Sequence, residues 1–403
     1  MSSARPADER TSAGRTGGGP ALLIALSALS AFGPLCLDMY LPALPQLPAG
    51  LGSTAGAAQL SLTACLVGLA LGQLFAGPLS DRVGRRTPLL IGVAVFVVAS
   101  ALCALTPSMP LLIGLRFVQG AAGAAGIVIS RAVVADMMAG SAAAAYFSAM
   151  AAINGLAPIL APVIGAQILR FGDWRTVFWV LTGIGVVLWF LTLFSVAETL
   201  PAKRRAAPGI RAQLRAFGVV LADRSYVGYV LAGTAVSAAM FGYISASPFL
   251  LQDGFGLSAQ QFSLCFAINA LGIIGMTVLG RALLRRCQPT QLLVAALVQA
   301  GFGALVLLGA VVAGWGLWPV LAGLFVMVSA VGLALPNSSA LAMDLHRPVA
   351  GAASGVFGLS QYATGTVATV VVGIGDRTMG TALAVTAVVA VGLGWAGFAV
   401  ARR

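Results

Sequence analysis

Runs of about 20 apolar residues recur along the chain, separated by short clusters rich in Arg, Asp, Gly and Pro. A helix rising 1.5 Å per residue needs about that length to cross a bilayer roughly 30 Å thick. The pattern predicts twelve spans at 21–46, 56–79, 87–106, 109–133, 144–169, 174–196, 226–251, 260–284, 290–313, 316–343, 349–373 and 377–400. Residues 1–19 are polar and Gly-rich and read as a disordered tail. The longest polar stretch between spans, 197–224, reads as a linker between two groups of six, 20–196 and 225–403. The halves echo each other: GPLSDRVGRR follows the second span and GRALLRRC the eighth, as a duplicated six-helix unit would place them. The expected fold class is an all-α membrane protein of twelve helices in two pseudo-symmetric bundles.

Composition strengthens that picture. Of 403 residues, 59% are apolar and only 8% charged, against about 25% charged in soluble domains. Too few charges exist to cover a water-exposed surface, which excludes a soluble enzyme, a secreted disulfide scaffold and a disordered chain. The net charge is +12, and 22 of the 23 basic residues are Arg. With the N-terminus in the cytoplasm, 19 of the 23 fall on inner segments and only Arg170, Arg175 and Arg377 on outer ones, with Arg116 inside a span. That bias places both termini in the cytoplasm and accounts for the basic charge without nucleic acid. Trp174, Trp315 and Trp318 fall near outer ends, where an aromatic belt belongs. The five cysteines have no metal-ligand spacing and read as reduced, apolar-packing thiols; no metal and no cofactor is expected.

Ionisable residues inside spans are costly and mark function. Asp38, late in the first span, and Arg116, early in the fourth, sit at matching depths, roughly 10–12 Å below the outer edge at 1.5 Å per residue. A cross-helix pair or a shared polar cavity is open to them. A carboxyl in a low-dielectric cavity beside a movable cation suits a proton carrier. A potential of 100 mV supplies about 2.3 kcal/mol per charge, enough for roughly a 50-fold gradient of a neutral solute. The alternative is a buried pair that only locks two helices.

Gly155, Pro158, Pro162 and Gly165 form one stripe of the fifth span and suggest a bent, closely packed helix. The inner turn 77–88 carries Gly77, Asp81, Arg82, Gly84, Arg85 and Arg86. The topology rule does not need Asp81, which suggests a breakable charge network with Arg131 and Asp136 at the inner end of the fourth span. His346, the single histidine, reads as a loop residue.

These motifs carry a resemblance. GPLSDRVGRRTPL, LLIGLRFVQGAAGAA and NGLAPILAPVIGA resemble the helix two–three turn, the fourth-helix motif and the fifth-helix antiporter motif of the major facilitator superfamily. Ala157 replaces the Gly usual before the first Pro of the last motif. LDMYLPALPQL, SASPFLLQDGFGLS, FAINALG and GLALPNSSALAM look like the Bcr/CflA subfamily of bacterial drug:proton antiporters. The resemblance implies alternating access around a central cavity, with Asp38 carrying the proton, Arg116 modulating it, and Asp81, Arg85 and Asp136 stabilising the outward-facing state. GRALLRRC lacks the Asp, so no matching second network is expected. Drug contacts are expected at Tyr40, Asn154, Phe249, Phe266, Asn269, Asn337 and Gln361.

The expected function is therefore proton-driven efflux of drug-like molecules of the chloramphenicol or bicyclomycin class, or broader, across the bacterial inner membrane. The expected partners are drug, protons and lipid bilayer, and the expected state is a monomer. A proton-coupled importer of the same fold is the nearest rival. A membrane enzyme would need a metal set or an activated nucleophile, which the sequence does not offer.

Overall fold

Pro34 shapes the first span. It has no N–H to offer the carbonyl of Ser30, and its ring crowds that carbonyl. The computed structural model, which describes residues 20–138, 140–202, 205, 210–346, 350–374 and 379–402, accordingly breaks the span at Ala31. Helix α1 (Pro20–Ser30) and helix α2 (Phe32–Asp38) are followed by a 3₁₀ run, Leu41–Gln46, rich in Pro, and a short helix α3 (Leu47–Leu51). The two arms, Ala21–Ser30 and Phe32–Leu51, meet at 49°. The span expected over 21–46 is therefore built as a bent pair of helices. The tail 1–19 and the basic residues Lys203, Arg204, Arg347, Arg377 and Arg403 lie outside the described residues.

The remaining helices are α4 (Ala55–Val83), α5 (Arg86–Leu105), α6 (Met109–Met137), α7 (Gly140–Ile168), α8 (Trp174–Ser195), α9 (Ile210–Leu221), α10 (Arg224–Pro248), α11 (Ala259–Leu283), α12 (Pro289–Val312), α13 (Leu317–Ser329), α14 (Val331–Leu345), α15 (Ala350–Ile374) and α16 (Met379–Ala401). Helices α13 and α14 together make one span, Leu317–Leu345. Eleven described stretches are long and apolar enough to cross a membrane, twelve with the bent first span. Among the described residues there is no strand. Polar side chains set several starts. Thr54 accepts from Ala57 N–H at α4, Asp173 from Arg175 N–H at α8, and Ser258 with Gln261 forms a capping box at α11.

The linker expected over 197–224 holds α9, whose Phe217 and Val220 bury against Tyr226, Val230, Ala353 and Phe357 of α10 and α15. Asp223 then caps α10 through Ser225 and Tyr226 N–H, and its other oxygen lies 3.0 Å from His346 Nε2. His346, just past the end of α14, is thus tied to the start of α10.

Helices α4, α5, α6 and α8 pack on one another, as do α10, α12, α14, α15 and α16. The densest pair is α4 with α6. A Cβ on Gly68 would strike the carbonyl of Phe117, and one on Gly120 the carbonyl of Cys65, so backbones touch where these glycines meet. The first six spans meet the last six mainly where α4 faces α15 and α7 faces α11. Among the described residues, the side-chain hydrogen bonds that join them include Thr63 with Thr369 at 2.9 Å, Gln59 Nε2 to Met379 Sδ at 3.2 Å, Gln252 to Pro42 O at 3.3 Å, Gln260 to Ala166 O at 3.0 Å, Ser263 to Pro162 O at 2.9 Å, and Tyr362 with Gln73. The first five lie toward the end opposite the Arg-rich 82–86 turn.

Candidate functional site

A cavity of about 190 Å³ lies between the two sets of spans. Its wall contains Gly33, Pro34, Leu37 and Asp38 of α2, Pro158 of α7, Met240, Phe241 and Tyr243 of α10, Phe266 and Asn269 of α11, and Tyr362 of α15. Asp38 is 6% exposed and is in no ion pair or hydrogen bond among the described residues. Asn269 donates to the Tyr243 hydroxyl at 2.9 Å, and the Tyr243 ring stacks on Phe266. The space is one carboxyl set in an aromatic and thioether wall.

Of the expected drug contacts, Phe266 and Asn269 line this cavity. Tyr40, Asn154, Phe249, Asn337 and Gln361 are absent from its wall. Tyr40 is buried with its hydroxyl on Ser61 and its ring 4.7 Å from the Arg116 guanidinium. Asn154 donates to Ser30 Oγ and Met150 O, and Asn337 donates to Leu333 O, both at 2.7–2.8 Å. Phe249 is buried in a π-helical turn, Phe249–Gly254. Met240, Phe241, Tyr243 and Tyr362 were not singled out in the sequence.

Arg116 does not pair with Asp38. It is fully buried and donates to the Cys36 carbonyl at 2.8 Å and to Gln119 Oε1. Gln119 in turn donates to Ser100 at 2.7 Å. The open alternative of a direct cross-helix pair is therefore corrected. The Cys36 carbonyl lies in the last turn of α2, where helix carbonyls lack an intrahelical partner, and the guanidinium takes it up.

At the Arg-rich end, α4 runs as helix through Pro78 to Val83, past the span end expected at 79. The link to α5 is only Gly84 and Arg85, and Gly84 has φ +104°. This short link brings Arg85 to 2.5 Å from Asp81 and 2.9 Å from Asp136. Thr199 also donates to Asp136. Arg86 donates to Leu193 O. Arg82 and Arg131 are exposed and in no ion pair among the described residues. Gly77 sits inside α4 rather than in the turn, with space for a side chain.

The sequence reading missed Glu198. Its carboxylate accepts from Leu200 N–H and Arg85 N–H at 2.9 Å and from Arg86 N–H at 3.4 Å, with Arg205 3.7 Å away. Burial raises its pKa, but the three N–H groups and Arg205 outweigh that and hold it below the usual glutamate value. The available signal was an acid just after a span, in a segment otherwise rich in Arg. Every ion pair here stays within the first six spans and the residues that follow them.

In α7 the prolines do not break the helix, which is continuous from Gly140 to Ile168. Pro158 faces the cavity, Pro162 gives its carbonyl to Ser263, and Gly165 lies against the Met39 carbonyl. A Cβ on Gly155 would meet nothing within 4 Å.

Comparison with known proteins places this geometry. The chain is 38% identical to YdgK of Bacillus subtilis, described as an uncharacterized MFS-type transporter, over 92% of this chain and 93% of that one. It is 28% identical to a bicyclomycin resistance protein homolog of Haemophilus influenzae over 86% and 87% of the two chains. It is 32% identical to the multidrug resistance protein MdtL of Klebsiella pneumoniae over 62% and 63%. The fold superposes on the nucleoside transporter NupG with a TM-score of 0.73 at 15% identity, covering 94% of this chain and 99% of that one. The partially occluded inward-open xylose transporter XylE of E. coli gives 0.71 at 14%, covering 93% and 97%. Residues 22–369 match the model of the Major Facilitator Superfamily, and the chain belongs to that family: it is a multi-pass membrane transporter, not an enzyme.

Proposed function

We propose that this transporter exports small drug-like molecules in exchange for protons, with its Arg-rich end and both termini in the cytoplasm of a bacterial cell. The observation that carries the reading is Asp38, a carboxyl that among the described residues has no ionic partner, in the wall of an apolar, aromatic cavity between the two sets of spans. Such a group takes a proton when water reaches it from one side and releases it when water and a changed field reach it from the other. Substrate and proton then use one cavity in turn, which couples their movements. Arg116, held on the Cys36 carbonyl two residues before Asp38, acts on the acid through α2. The family relatives named for bicyclomycin and multidrug resistance support a drug as cargo.

The test is a resistance profile in a pump-deficient bacterium with a panel including bicyclomycin and chloramphenicol, followed by proton-driven accumulation in inside-out vesicles. Wild type raises tolerance to at least one compound and accumulates it; Asp38→Asn reaches the membrane in equal amount and does neither. Normal proton-driven accumulation by Asp38→Asn refutes the role of the acid. Flux in the opposite sense to the pumped protons' exchange partner, toward the cytoplasm, refutes export.

A further inference from the structure

Two of the five cysteines face each other in the membrane interior. Cys36 on α2 and Cys65 on α4 have sulfurs 3.7 Å apart, and both residues are fully buried. We propose that they form a redox modification site, a dithiol that closes to a disulfide and thereby displaces the helix carrying Asp38.

The geometry favours closure by movement of one partner. A disulfide has its sulfurs about 2.0 Å apart, so they must approach by roughly 1.7 Å. Helix α4 cannot yield, because its backbone at Cys65 already touches Gly120 of α6. Helix α2 can. It is seven residues long, cut off from α1 at Ala31 and from the 3₁₀ run at Met39 and Tyr40. Thiol–disulfide chemistry proceeds through a thiolate, an anion that a nearby cation stabilises. The Arg116 guanidinium, which among the described residues has no carboxylate partner, rests on the Cys36 carbonyl.

The oxidant is of the membrane quinone class. Both S–H bonds break, one S–S bond forms, and two protons and two electrons pass to the quinone, giving the hydroquinone. The new bond draws Cys36 off its Arg116 contact and shifts Asp38, two residues further along α2.

The test uses the full wild-type chain in lipid nanodiscs, treated with a short-chain benzoquinone, then unfolded in detergent and alkylated. Untreated protein shows five alkylatable thiols; treated protein shows two fewer, restored by dithiothreitol, with a cross-linked peptide pair containing Cys36 and Cys65. Five reactive thiols after treatment, or a cross-link between any other pair, overturns the site. Cys36→Ser and Cys65→Ser, checked for folding by size exclusion, form no cross-link. In vesicles, quinone treatment reversibly lowers wild-type drug transport and leaves Cys65→Ser unaffected; a mapped disulfide with undiminished transport overturns the displacement. Only this last arm leans on the export reading. If reduced wild type moves no drug, that reading fails while the thiol count still decides the site.

Discussion

Asp38 and Arg116 show how far single residues could be read. Their types, positions and matching depths follow from the hydropathy pattern, because charged groups inside apolar runs stand out. Their lack of a mutual bond does not follow from it. It depends on the end of α2 at Asp38, which frees the Cys36 carbonyl, and on Gln119 three residues beyond Arg116. Glu198 was hidden for the opposite reason, since an acid in a polar segment is unremarkable until the fold seats it on the α5 N-terminus. Glu198→Gln is expected to cost about 1 kcal/mol, low in the range for bonds to a charged group because the side chain is 30% exposed. Its folded pKa lies below the unfolded one, so its contribution is complete above the ordinary glutamate value of about 4.3 and fades as pH falls through the depressed value. Thermal unfolding in detergent should therefore show wild type ahead of Glu198→Gln at neutral pH, with the gap closing below about pH 4. A gap that persists or grows in acid contradicts the latch.

At the scale of elements, every expected span has a helical counterpart, since runs of apolar residues of this length leave the backbone no other way to satisfy its hydrogen bonds. The errors came at prolines and short links. Pro34 breaks the first span whereas Pro78, Pro158 and Pro162 leave α4 and α7 continuous. Neighbouring helices decide between those outcomes, and no local pattern reports them. The α4–α6 contact gives a sharp prediction. Gly120→Ala puts a methyl into the Cys65 carbonyl and should lower stability by about 1–3 kcal/mol. Gly114→Ala on the same helix meets nothing within 4 Å and should leave the melting temperature unchanged or higher. Equal effects of the two substitutions would show that close helix approach is not what Gly120 provides.

At the scale of the whole molecule, the cavity wall was the least legible part. Its members come from α2, α7, α10, α11 and α15, and which face of each helix turns inward is set by packing across the two sets of spans. The contact of Thr63 with Thr369 at 2.9 Å joins those sets far from the Arg-rich end. Cysteines at both positions, cross-linked and mapped by peptide analysis, should stop transport, and reductant should restore it. Continued transport by the cross-linked protein would mean that this contact need not open during the cycle.

The hydrogen bonds that join the two sets of spans are neutral, and among the described residues no ion pair crosses between them. The ion pairs of Arg85 and Glu198 gather instead at one pole. Dissolved electrolyte weakens exposed charge pairs and scarcely touches neutral bonds. Brine on either side of the bilayer should consequently leave the joint between the two sets in place, since the bonds that hold it carry no charge.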